Sequence, residues 1–197
     1  KKMKNQMFDG MFAAAIERLR NRSPEEICRL GNVAFDGSAF RFESLGREMA
    51  VSYPEYEVLP AVDPWQALVM LHYLSMAGGA PMEGKMIAFS EYRDGLARGY
   101  GFDRDTENAI RERAGALSED ELKKRCLALG GRLVASNADL CAEFKFMPNY
   151  PVWLKIWFAD DEFPASGKIF VDASAEKYLS IEDAVTVGRA ILDSLIG

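Results

Sequence analysis

The stretch Trp157-Phe-Ala-Asp-Asp-Glu-Phe-Pro-Ala-Ser-Gly-Lys-Ile-Phe-Val-Asp-Ala-Ser-Ala-Glu-Lys-Tyr-Leu-Ser-Ile-Glu-Asp183 holds two strand patterns, an acidic Pro turn and a helix start. Before it, Val152–Phe158 alternates Val152, Leu154, Ile156, Phe158 with Trp153, Lys155, Trp157, the period-two pattern of a strand with one buried face. After it, Ser180-x-x-Asp183 starts a helix, and Ala184, Val185, Gly188, Ile191, Leu192 and Leu195 recur at helical spacing. Strands near Leu140–Phe146 and Lys168–Asp172 flank it, and Met147-Pro-Asn-Tyr-Pro151 reads as a hairpin turn.

Working outward, Phe8, Met11, Phe12, Ala15, Ile16 and Leu19 predict a first helix, and Ser23-Pro24-Glu25-Glu26 caps a short second one that stops at Gly31. The period then falls to two. Ala39–Glu43, Glu48–Tyr53 and Tyr56–Leu59 read as a small meander. Asp63-Pro64 opens a helix to about Ala77 that is apolar almost all round, and therefore buried. Residues 80–105, rich in Gly and charge, read as a long ordered loop with one strand near Met86–Phe89. Helices follow at Thr106–Ala114 and Ser118–Leu129, then a strand near Arg132–Ala135. Runs of strands and of helices, not strict alternation, give the expected class: a single α+β domain over 1–197, with antiparallel strands packed against helices and lobes at 1–78 and 79–197 as a possible subdivision.

The 197 residues carry a net charge of -6, which disfavours nucleic acid and anionic lipid as partners. The dense basic cluster Lys1, Lys2, Lys4 reads as a solvated terminus. No apolar run is long enough to span a bilayer, and Phe12–Ile16 is too short for a signal peptide. Three dispersed cysteines (Cys28, Cys126, Cys141) suit a reducing compartment, so a cytoplasmic location is expected.

His72 is the only histidine. It shares a helical stripe with Trp65, Leu68, Val69 and Met76, so an interior position is expected. A buried imidazole serves as base or ligand, or simply as a hydrogen-bonded core residue. Asp160, Asp161 and Glu162 offer carboxylates for acid/base work or a cation, or for capping a tight corner above Phe163-Pro164. Glu182-Asp183, at a helix start, reads as dipole complement. If the hairpin strands pair, one face combines Trp153 and Trp157 with Lys145, Lys155, Glu143 and Cys141. That face suits a flat or anionic ligand, or a covering helix. Gly95, Gly99 and Gly101 do not open a strand-to-helix turn, so no nucleotide loop is expected.

Leu71-His-Tyr-Leu74, Ala80-Pro-Met-Glu-Gly-Lys-Met-Ile-Ala-Phe-Ser-Glu91 with Gly95, and Trp157 through Asp183 resemble the family called domain of unknown function 3786, over about residues 8–195. The resemblance implies a setting in anaerobic bacteria and archaea, where relatives with an added Cys-rich segment hint at redox or cofactor handling. This chain lacks those cysteines. It implies no activity. The leading expectation is a small-molecule or redox-cofactor binding module, the cofactor unidentified, with His72, Glu91, Trp153 and Trp157 lining the site. The alternatives are a hydrolase or lyase using His72 with Asp161 or Glu162, and a protein–protein interaction module.

Overall fold

In a computed structural model that describes residues 2–197, with side chains from Gln6 onward, the chain forms six α-helices and two antiparallel sheets. Side chains of the Lys1–Lys4 cluster lie outside the described residues. Helices α1 (Lys2–Arg20) and α2 (Pro24–Gly31) precede a meander of β1 (Ala34–Phe35), β2 (Ala39–Ser44), β3 (Arg47–Ser52) and β4 (Val58–Leu59), paired in that order. Helix α3 (Pro64–Met76) leads to β5 (Met86–Ala88), α4 (Arg98–Arg113), α5 (Glu119–Ala128), β6 (Arg132–Leu133), β7 (Leu140–Met147), β8 (Tyr150–Trp157), β9 (Ser166–Asp172) and α6 (Ile181–Ile196). The second sheet runs β5-β9-β8-β7-β6. One hydrophobic core joins helices and both sheets, so the expected single α+β domain is what forms.

Local signals act where the sequence places them. Ser23, Ser118 and Ser180 each accept a backbone N–H of their own first turn, and Asp63 accepts that of Trp65 at 2.9 Å. Phe144↔Val152 and Ala142↔Leu154 pair across β7 and β8, so the apolar sets of both strands share one face.

Two expectations need correction. Residues 98–105 belong to α4, which starts eight residues before the predicted Thr106. Gly99 and Gly101 argue against helix on propensity, but a β-carbon at 99 would run into the Phe89 carbonyl. Close packing on the 3-10 turn Phe89–Glu91 decides the residue there. Asp103 locks the contact by accepting the N–H groups of Phe89 (3.2 Å) and Ser90 (3.1 Å). The stripe on α3 is likewise not sealed along its length: Trp65 is 46% and Met76 39% exposed.

Buried tyrosines fasten the layers. Tyr73 donates to Gly31 O at 2.8 Å and accepts from Asn149 N, while Asn149 Nδ2 donates to Tyr178, whose ring stacks on Tyr73. Tyr178 in turn donates to Ala80 O. Each hydroxyl thus satisfies a loop or cap backbone group that burial would otherwise leave unpaired.

Candidate functional site: a helix groove and an open sheet face

His72 meets a carboxylate. Its Nδ1 lies 2.9 and 3.0 Å from the two carboxylate oxygens of Asp183, across 111 residues of chain, with both side chains nearly buried. The pair clips the C-terminal half of α3 to the first turn of α6. Asp183 also places negative charge at a helix N-terminus, which the helix dipole favours. Nearby, the Tyr92 hydroxyl donates to Leu179 O and sits 3.0 Å from that of Tyr150. Burial pushes the Tyr150 hydroxyl pKa up, and the charge of Asp183 adds to the rise. Asp161 and Glu162 are exposed in the β8–β9 turn; Asp183 is the carboxylate that reaches the imidazole.

Between α3 and α6 runs a groove of about 730 Å³. Asp63, Trp65 and Gln66 supply one wall; Glu182, Thr186, Arg189 and Asp193 supply the other, and Arg98 of α4 also lines it. The indole of Trp65 packs edge-on against Phe8 at 4.8 Å, which fixes it while leaving it nearly half exposed. Arg98 pairs with Glu182 at 3.1 Å, and Arg189 stands 3.9 Å from Asp105. Glu182 and Thr186 flank Asp183 on α6, but the Asp183 carboxylate turns inward, and His72 is not among the groove's lining residues.

The second surface is the outer face of the five-stranded sheet. Register places Glu143, Trp153 and Phe170 in one row, and Cys141, Lys155 and Lys168 in the next. Trp153 Nε1 donates to Glu143 at 3.1 Å, where Arg132 also binds; Trp157 Nε1 donates to Asn137 O at 3.2 Å. Lys155 bonds Asn137 and sits 5.5 Å above the Phe170 ring. The indoles, Lys155 and Lys168 are half-buried and Lys145 is exposed, so this face stands partly open. Cys141 is sealed, and burial, the leading cause, raises its thiol pKa.

The four residues expected to share a pocket are not brought together. Tyr150, near Asp183, lies on the core side of β8; Trp153 and Trp157 point out of the opposite side. Glu91 is exposed and accepts the Ala88 N–H at 2.7 Å, capping its own turn. Asp160 accepts the N–H groups of Phe163 (2.7 Å) and Glu162 (2.9 Å), and these bonds hold its pKa below the usual value. Phe163 does not pack beneath that turn; it is 66% exposed.

Sequence reasoning assigned no ligand role to Trp65, Arg98 or Arg189. The signal for Trp65 was available, since the residue after an Asp-Pro helix start sits in a first turn whose flanks are free. Among the described residues no group of three or more His, Cys, Asp or Glu side chains is arranged to hold a metal, and the three cysteines sit on α2, α5 and β7. The cysteines of this chain therefore do not fit an iron–sulfur cluster. No helix among the described residues is long and apolar enough to cross a membrane.

Fold and surfaces together define an α+β protein with one grooved helical layer and one open sheet face. Residues 23–193 match the family model described as Domain of unknown function (DUF3786), and the chain belongs to that family. No curated protein and no solved structure matches the chain significantly.

Proposed function

We propose that this protein is a cytoplasmic small-molecule or cofactor-binding module without chemistry of its own, and that its ligand lies in the α3–α6 groove. One observation carries the reading: a fixed, nearly half-exposed Trp65 shares a groove of about 730 Å³ with the guanidinium groups of Arg98 and Arg189. That volume falls in the range of ligand sites, and the indole face suits stacking on a flat molecule whose polar groups meet both the guanidiniums and the carboxylates of Asp63, Glu182 and Asp193. His72 and Asp183 hold the two walls together without touching the ligand.

Native mass spectrometry with absorption spectra, on protein purified without oxygen, tests it. A co-purifying molecule should be lost in Trp65→Ala and retained in His72→Ala. A clean apo mass in the wild type, with no binding of flat aromatic compounds, removes the reading.

The open sheet face favours a second reading, a protein–protein interaction module. Trp153 and Trp157 are pinned through their N–H groups and present ring area at little further entropic cost. Sedimentation velocity of the wild type beside Trp157→Ala tests it; identical monomers at every concentration speak against self-association. A hydrolase or lyase reading has the His72–Asp183 pair in its favour and requires Nε2 to face a substrate.

A further inference from the structure

The groove does not end at Gln66. Gln66 and Ser194 also line a second cleft of about 190 Å³, where α3 and α6 meet the β2–β3 hairpin. Along β2, Phe40, Phe42 and Ser44 share the inward face, so a serine stands where the strand pattern calls for an apolar residue. Ser44 is 3% exposed, and its hydroxyl has no hydrogen-bond partner. Native proteins rarely leave such a group unpaired. Across the strand pair Ser44 faces Arg47, whose exposed side chain lines the mouth of the cleft. The Gln66 side-chain amide is free among the described residues. Met49, Met70 and Leu129 supply the apolar remainder of the wall. The turn above is held in a costly conformation, with Leu45 at φ 48° and Leu45 N–H bound to Lys145 O.

We infer that this cleft binds a small carboxylate with an apolar tail. The carboxylate takes the Arg47 fork and, once a turn about the Ser44 side-chain bond brings the buried hydroxyl into the cleft, that hydroxyl as well; the Gln66 amide donates a further bond, and the tail lies on Met49, Met70 and Leu129. At about 190 Å³ the cleft is smaller than the usual range for drug-sized ligands, which suits a short organic acid and not a nucleotide. The inference deepens the groove reading and rests on it, because the two clefts share a wall.

Amide NMR titrations with hexanoate, acetate and 1-hexanol test it. Hexanoate should saturably shift the Ser44–Arg47 amides and the Gln66 side-chain amide. Acetate, without the tail, and hexanol, without the charge, should each bind about tenfold more weakly or worse. Arg47→Met should weaken hexanoate about tenfold without weakening hexanol. Ser44→Ala should weaken hexanoate and raise the melting temperature of the free protein, since the unpaired hydroxyl disappears. Unmoved resonances at Ser44–Arg47, or wild-type hexanoate binding in both variants, overturn the inference. Shifts confined to the Trp65 indole and Arg189 overturn it too, while leaving the groove reading intact. A groove without any ligand by mass spectrometry fails separately, whatever hexanoate does.

Discussion

Gly46 and Gly130 press their backbones together: a β-carbon on Gly46 would fall 2.7 Å from the Gly130 α-carbon. Both have positive φ, 74° and 76°, so both the conformation and the space exclude larger residues. This contact seats the β2–β3 hairpin against the end of α5. Gly130→Ala should destabilise the fold by at least about 2 kcal/mol in urea denaturation. Gly10, with nothing within 4 Å of its would-be β-carbon, is the contrast. Gly10→Ala in α1 should stabilise by about 0.5–1 kcal/mol.

The His72–Asp183 clip predicts energetic coupling between α3 and α6. His72→Ala and Asp183→Asn should each destabilise by about 1–3 kcal/mol, and the double variant should cost less than the two together. A double-mutant cycle by thermal unfolding measures this; additive losses would mean that the pair carries no interaction energy.

Asp172 predicts the acid side of the stability profile. Burial alone raises its pKa, but bonds from the Ser174 hydroxyl and the N–H groups of Glu83, Ser174 and Gly84 outweigh it and hold the group below its ordinary 3.8. As pH falls, the unfolded chain takes up the proton first. The contribution is therefore whole above pH 3.8 and drains away as pH drops through the folded value. Asp172→Asn should destabilise the protein at pH 7 and flatten its stability between neutral and acid pH, as read from urea midpoints.

Thiol reactivity should split by burial. Cys126 is fully buried, and burial pushes its pKa up to about 11; Cys141 is also sealed, whereas Cys28 is partly exposed. A neutral-pH thiol reagent should modify one cysteine per native chain, Cys28, and all three in denaturant. Fast native labelling of Cys126, mapped by mass spectrometry, would refute this burial pattern.

Caps and alternation made most elements legible: Ser180 with Asp183 begins α6, and Val152, Leu154 and Ile156 alternate as they fold. The fold class follows from such short-range patterns. The beginning of α4 did not, because Gly99 answers to a carbonyl ten residues earlier and not to helix propensity. Nor did the site. Asp183 reads from sequence as a helix-start acid, and only the tertiary fold brings it to an imidazole 111 residues away. Ser44 falls one residue past the strand read from the sequence, Ala39–Glu43, so the second cleft carried no signal either.

Every tryptophan lies on a surface with a binding reading, Trp65 in the groove and Trp153 and Trp157 on the sheet face; none is among the buried core residues. The protein therefore carries its own optical labels in two separable places. Its ultraviolet emission reports contact at the groove or at the sheet more directly than the tightness of the core, and single-tryptophan variants would tell the two apart without any added dye.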